Sequence, residues 1–498
     1  MKKILFISLA VIMALSVGLI GCGGDGDGGN GGVTAPTEIV VGLARDLDQH
    51  LAYFECMAAG AVYRWYVNAT NTAGGVHLSE YDTANTTCIV PIRTVVRDFD
   101  AVTMNIATIT QQLIQTYKAD FIWGGPGTAC INPQASACNL LGTLLFTLEG
   151  GASDMITSGQ IDNWPYVWIS LTFSDWYQLP VLHAMLNQKL GRNSTAWVTY
   201  INDAHGQEYL AATRAVFGDA NILPTGSPPG HTHGFFIDAN DADDIVDAAA
   251  QALNDTGYDV FCAWTYPWNV DLIMSAIKSY NDPSLGKFDP PAIILGPGAN
   301  FGKFGFDHGY SDVEGVMCFA TANNKTQVNV GTATMSMATM FHNIAEWVEN
   351  LWTDPTCPSC GGPLYKGNMT SGDQNYDYWG DAPYVASMEM WKYAVEAAGN
   401  LSAVAVRNAL VSYNSTNPAS TVFGNTWYRV FGGGYGGGLL DYKCETGQLG
   451  QWQNGVIEIV GFAGINTTGD PSAGCEALPN YWQTAPFVYP MNGTWGWL

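Results

Sequence analysis

The chain has 498 residues, 47% of them hydrophobic and 12% aromatic, which is material for several packed domains and excludes disorder as the main state. Charged residues are only 13%, and 19 Lys+Arg against 44 Asp+Glu give a formal charge of −25, which argues against binding a phosphate backbone. The remaining surface is neutral, rich in Gly, Asn, Thr and Ser with a negative bias, a composition common in proteins that work outside the cytoplasm.

Met1-Lys2-Lys3 followed by the apolar run Ile4–Ile20 has the layout of a secretory signal. Leu19-Ile20-Gly21-Cys22 closes it and resembles a bacterial lipobox, which implies cleavage before Cys22 and lipid on its thiol. Gly23–Gly32 then reads as a flexible tether. From residue 38 the pattern alternates: strand Ile39–Leu43, helix Tyr53–Asn71, strand Cys88–Val96, helix Val102–Tyr117, strand Ala119–Trp123, helix Ala129–Leu140 and strand Thr143–Thr147. A second series follows, with strands Tyr166–Leu171, Thr195–Ile201, His233–Asp238, Asp259–Trp264 and Ala292–Leu295. The helices between them are Ser174–Leu190, Gly206–Phe217, Ala242–Asn254 and Val270–Tyr280. Strands alternating with helices imply parallel sheets covered on both faces, and two series imply two doubly wound α/β lobes.

After strand Glu314–Ala320 the chain turns mostly helical, over Thr332–Trp352, Tyr384–Ala398 and Ala403–Val411. Thr353–Asp381, with Cys357-Pro-Ser-Cys360, is too long for an ordinary connection and reads as a surface insertion. Gly432–Gly438 reads as a flexible connector, Val456–Phe462 as a strand, and 466–498 as a C-terminal extension. Eleven cysteines include Cys22; the other ten are an even number, which in an exported chain favours disulfides. Close spacing suggests Cys130 with Cys138, Cys357 with Cys360 and Cys444 with Cys475, without fixing the connectivity.

In open α/β sheets, ligands bind beyond the carboxyl ends of the strands, so the informative turns are Gly124–Thr128, Glu149–Ser153, Asp203–Gly206, Thr265–Asn269 and Gly296–Phe301. Trp123, Trp176, Trp264 and Trp268 lie beside these turns and are candidates for an aromatic pocket wall.

Several stretches together resemble the type I periplasmic substrate-binding proteins of ABC transporters, in the branched-chain amino acid and amide receptor branch. They are Glu38-Ile-Val-Val-Gly42, Asn71-Thr-Ala-Gly-Gly75-Val76, Ala119–Thr128, Val198-Thr-Tyr-Ile-Asn-Asp-Ala-His-Gly206, Glu314-Gly315-Val316, and Pro383-Tyr384 leading to Ala394–Gly399. The resemblance implies two lobes joined by three crossovers near Trp164–Ser170, Ala320–Ala322 and Tyr428–Phe431. One lobe is then 38–165 plus 321–429, and the other 166–320 plus 430–465, closing on ligand like a hinged clamp.

By the same resemblance, Gly127 and Thr128 fall where the family binds a ligand carboxylate, and Ala152 and Ser153 fall on the second binding turn of that lobe. On the other lobe His205 takes the place of an aromatic, while Thr265 and Tyr266 lie on a turn that supplies aromatic contacts. The family's acidic residue for an α-ammonium is absent near Gly298, where Asn300 is the local acceptor. The functional expectation is a lipid-anchored extracytoplasmic receptor delivering an amino acid, amide or carboxylate to an ABC permease. It needs no cofactor, metal or nucleic acid and catalyses no reaction. The alternative is a surface or matrix protein that keeps the fold without transport. His231-Thr-His233 lacks a third ligand at zinc spacing, and no Gly-x-Ser-x-Gly elbow is present.

Overall fold

The computed structural model describes residues 34–491 except 48–50, 52–53, 55–58, 102, 126, 150–154, 157, 171–177, 226–232, 239, 281–289, 328–332, 352–375, 442–448, 461–483 and 490. The strands in chain order are β1 (Ile39–Arg45), β2 (Val76–His77), β3 (Ile89–Val90), β4 (Ile92–Asp98), β5 (Phe121–Trp123), β6 (Leu144–Thr147), β7 (Val167–Ile169), β8 (Ala196–Ile201) and β9 (Ile222–Leu223). They continue as β10 (Phe235–Ile237), β11 (Val260–Trp264), β12 (Ile293–Gly296), β13 (Met317–Phe319), β14 (Ala419–Thr421), β15 (Gly424–Val430), β16 (Gly438–Asp441), β17 (Leu449–Gln453) and β18 (Val456–Ile459). The helices are α1 (Ala59–Thr72), α2 (Ile106–Gln115), α3 (Thr128–Leu141), α4 (Leu179–Leu190), α5 (Ala204–Phe217), α6 (Ala242–Asn254), α7 (Pro267–Tyr280), α8 (Gly302–His308), α9 (Met337–Leu351), α10 (Asp381–Ala398) and α11 (Ala403–Ser412).

Two large sheets result. The first has the order β14-β15-β16-β7-β6-β5-β1-β4, parallel from β16 to β4 with β14 and β15 antiparallel at one edge. The second runs β10-β8-β11-β12-β13-β17-β18, parallel up to β13, with β9 beside β8. Every residue of β1, β6, β8 and β11 is buried, as expected for central strands covered on both faces. The covering helices follow the amphipathic rule. In α6, Ile245, Ala248, Ala249, Ala252 and Leu253 form one buried stripe, and the Asp241 carboxylate caps the helix by accepting from Asp243 N and Asp244 N.

The lobe boundaries differ from those expected at 165/166 and 429/430. Val167–Ile169 pairs with β6 and β16, so the first crossover follows β7. β15 and β16 also complete the first sheet, which moves the third crossover from Tyr428–Phe431 to between Asp441 and Leu449. The added edge hairpin of β15 and β16, which the resemblance did not include, is what displaces the third crossing.

Gly432–Gly438 is no loose connector either. A Cβ on Gly437 would stand 2.3 Å from Val167 O, and one on Gly436 2.5 Å from Ile161 O, so the run is glycine because backbones touch there. Of the Thr353–Asp381 insertion, residues 352–375 lie outside the described structure, but Tyr376–Asp381 is buried, not superficial. Part of the C-terminal extension docks on the second lobe: Gln451 exchanges hydrogen bonds with the main chain of Val488, and Met491 N donates to Pro291 O.

The Cys130–Cys138 pairing does not form. Both thiols are free and buried on the one helix α3, and eight residues of helix separate them by about 12 Å, beyond disulfide reach. Cys22, Cys357, Cys360, Cys444 and Cys475 lie outside the described residues.

Two outcomes follow from this packing. Gly437→Ala should lower unfolding stability by about 1–3 kcal/mol in urea titration, by overpacking against the β7 backbone. Thiol labelling read by mass spectrometry should leave Cys130, Cys138, Cys262 and Cys318 unmodified in the native protein. In denaturant without reductant, all four should be modified.

Candidate functional site

The carboxyl ends of β5 and β6 face those of β8, β11 and β12, and the turns after them meet in the gap. Gly127 opens α3 after β5 with φ of +78° and ψ of 154°, and a Cβ there would approach the hydroxyl of Tyr266 on the opposite lobe to 3.8 Å. Glu149 follows β6. Asp203 and His205 follow β8 at the start of α5, where Asp203 Oδ1 accepts from Gly206 N at 3.0 Å. Thr265 and Tyr266 follow β11, and Pro297–Phe301 follows β12.

An inner cavity of about 20 Å³, room for one water-sized group, lies between the lobes. The first lobe contributes Phe54, Gly127, Glu149, Asp377, Trp379 and Tyr384; the second contributes His205, Tyr266, Pro297 and Phe301. An outer cavity of about 290 Å³ adjoins it across Tyr266, which lines both. Its walls include Leu51, Met104 and Ala129 from the first lobe, and Asn202, Asp203, Phe236, Asp238 and Trp268 from the second.

The aromatic groups form one connected wall. Tyr266 stacks on His205 (centroids 5.4 Å apart, 18° between planes) and on Trp268 (4.8 Å, 21°), and Phe54 meets Tyr266 and Phe301 edge-on. The Tyr266 hydroxyl donates to Asp203 Oδ2 at 2.5 Å, and burial beside that carboxylate pushes the phenol well above its usual range. Burial pulls the His205 imidazole down, opposed by the Asp203 charge and then by hydrogen bonds to main-chain Gly296 and Thr265. The ring is therefore neutral near pH 7, with its proton toward those carbonyls and Nε2 left as an acceptor without a protein partner. The buried hydroxyls of Thr128 and Thr265 and the Trp379 Nε1 also lack partners. Of these, His205 and Trp379 line the inner cavity, and two unsatisfied polar atoms in one small lining are unusual in a protein interior.

Charges are built in from several segments. Arg45, at the end of β1, pairs with Glu149 at 2.7 Å, and both side chains are within 1% of complete burial. Glu149 Oε1 also accepts from Ala59 N at 3.0 Å, at the start of α1. Asp377 Oδ1 accepts from Asn300 Nδ2 at 2.7 Å and from Trp379 N at 3.0 Å. Asn300 Oδ1 in turn accepts from Gly298 N at 2.7 Å, so this amide ties the two lobes together. Gly302 N to Tyr376 O (2.9 Å) and Tyr378 N to Asn300 O (3.1 Å) extend the tie along the backbone.

Of the expected site residues, Gly127, His205 and Tyr266 line the inner cavity and Thr128 and Thr265 are buried at the same turns. Ala152 and Ser153 lie outside the described residues, as does Trp176. Trp268 lines the outer cavity. Trp123 packs edge-on against Trp391, and Trp264 stacks on Phe319 while donating to Thr213 Oγ1, so both are core. No acidic residue stands near Gly298 in the sequence, and Asp377 from the other lobe lines the same cavity. Sequence reasoning missed Asp377, Trp379, Tyr384 and Phe54. Arg45 and Glu149 carried a usable signal, since a charged residue ending a fully apolar strand marks a sheet's ligand edge.

No protein-family model matches the sequence, and no curated protein matches it by sequence. Solved structures do. The substrate-binding protein LivJ of a branched-chain amino acid transporter from Streptococcus pneumoniae, in complex with isoleucine, is 15% identical over 85% of this chain and 99% of its own, with a TM-score of 0.58. The leucine-binding protein LivK from Thermotoga maritima gives 12% identity, coverage of 84% and 97%, and a TM-score of 0.55. An ABC transporter solute-binding protein from R. palustris, in complex with 4-hydroxybenzoate, gives 12%, 85% and 95%, and 0.53. The fold is that of the type I periplasmic binding proteins.

In this type I fold the buried carboxyls leave a pH signature. Burial pushes Asp377 up to about 7, helped by the Glu149 charge, and lifts Asp381 further because Asp377 is beside it. Glu389, on α10, is likewise raised by burial to about 7. The folded state then holds protons that the unfolded chain has released above about pH 4, so stability falls as pH rises through neutrality. His205 and His183 act oppositely below about pH 6.5, where only the unfolded chain gains their protons. The melting temperature should therefore be higher at pH 6.5 than at pH 8. Asp377→Asn should flatten that difference in a calorimetric pH series.

Proposed function

We propose that the protein is an extracytoplasmic solute receptor, lipid-anchored at Cys22, which binds a small organic molecule between its lobes and presents the closed form to an ABC permease. The observation that carries this reading is a gap between the lobes walled by aromatic rings, whose lining includes two buried polar atoms without partners, His205 Nε2 and Trp379 Nε1, with the unpartnered hydroxyls of Thr128 and Thr265 buried on the turns that form it. A buried polar group without a partner costs about 1–3 kcal/mol. A solute that supplies the missing partners returns that energy on closure, which is how a hinged receptor couples occupancy to shape.

The similar structures support the reading through what they hold: isoleucine in one and 4-hydroxybenzoate in another. The Gly127–Thr128 turn offers a hydroxyl and main-chain N–H groups at a helix start, suited to an oxygen-rich end of an amino acid, amide or carboxylate. Among the described residues no helix is long and apolar enough to cross a membrane, so attachment in this proposal rests on the leader and Cys22. The same wall is built for holding: its hydroxyls stand at helix starts, and the neutral His205 faces Tyr266, not a nucleophile.

Thermal-shift screening of the purified protein against amino acids, amides, carboxylates and amines should find compounds that raise the melting temperature without being transformed. For such a compound, Thr128→Ala and Thr265→Ala should each weaken binding about tenfold by calorimetry, the worth of one buried hydrogen bond. Turnover of the compound, or no shift with any class, would count against a receptor.

A further inference from the structure

The lining of the two chambers narrows the ligand class. Resting on the receptor reading, we infer that the solute carries a primary ammonium and an uncharged acceptor, such as an amide or hydroxyl, and no free carboxylate.

Among the described residues, no lysine or arginine lines either chamber, whereas Glu149 and Asp377 line the inner one and Asp203 and Asp238 the outer. The Arg45 guanidinium is balanced by Glu149 at 2.7 Å. Glu149 is thus neutralised, and the acidic excess is Asp377 in the inner chamber and Asp203 and Asp238 in the outer; no cation in either lining balances an entering carboxylate. A cation gains from the acidic groups that line both chambers.

Acidic residues alone do not make a site; the unsatisfied atoms add independent detail. His205 is 4% exposed, lines the inner chamber and presents Nε2 as an acceptor, which calls for a ligand N–H. Trp379, 5% exposed on the same chamber, presents an indole N–H that calls for a ligand acceptor. Size supplies the last constraint. An inner chamber of about 20 Å³ takes a group as large as water, which –NH3+ is and trimethylammonium is not, while the outer 290 Å³ takes the organic body.

The matched probes are leucinamide against leucine, and tyramine against both its N,N,N-trimethyl derivative and 4-hydroxybenzoate, titrated calorimetrically into the full chain. Leucinamide should bind at least tenfold more tightly than leucine, and tyramine at least tenfold more tightly than its two counterparts. Asp377→Asn and, as a second variant that keeps the stacked ring, His205→Phe should each weaken leucinamide binding at least tenfold, with folding checked by circular dichroism. Tighter binding of leucine or 4-hydroxybenzoate would overturn the ammonium assignment and leave the receptor standing, as would unchanged leucinamide affinity in a folded His205→Phe protein. Binding of none of the five would overturn the receptor reading as well.

Discussion

The joining of the 376–378 segment to the 298–302 loop is the contact on which the rest of the arrangement depends. Two main-chain hydrogen bonds and the Asn300–Asp377 pair stitch a first-lobe segment into the carboxyl edge of the second sheet. This stitch brings Asp377 and Trp379 into the gap, shrinks the space there to the size of a water, and buries the carboxyl that titrates near neutrality. Thr321, just after β13, adds to it: its N–H donates to Tyr378 O and its hydroxyl to Trp379 O, so a chain crossing between lobes is bound to the segment that closes them.

Electrostatics then follows from topology. Parallel strands deliver their ends to one edge of each sheet, and two such edges face each other, so residues remote in sequence share one desolvated space. Arg45 and Glu149 end neighbouring parts of the first sheet and neutralise each other. A buried pair of this kind contributes little net stability but costs much if one partner is lost. What remains is an excess of carboxyl groups beside rings whose faces are electron-rich. The polar atoms without partners sit where these two features meet.

Much of this was legible in the residues. Regular elements such as Ala242–Asn254 carry their own periodicity and cap, and the turns after β5, β8 and β11 announce themselves because an apolar run stops at Gly, Asp or Thr. Elements whose definition is long-range were not legible. β14 to β16 have little apolar alternation of their own and exist because Gly436–Gly438 can lie flat against β7. Asp377 and Trp379 follow a long Gly- and Asp-rich stretch with no periodicity, and only the pairing with Asn300 and Phe301 gives them a place. Cys130 and Cys138 misled because spacing in sequence is not separation in space along a helix.

The route of the chain between lobes has a consequence for how the molecule is made. β16, which completes the parallel part of the first sheet, comes after every parallel strand of the second. A growing polypeptide must therefore extend to Asp441 before its first half can close its hydrogen-bonded edge, and to Ile459 before its second half can. Neither half is a continuous piece that can be released finished ahead of the other, so synthesis leaves the first sheet's border unpaired until Asp441 is made and the second's until Ile459 is.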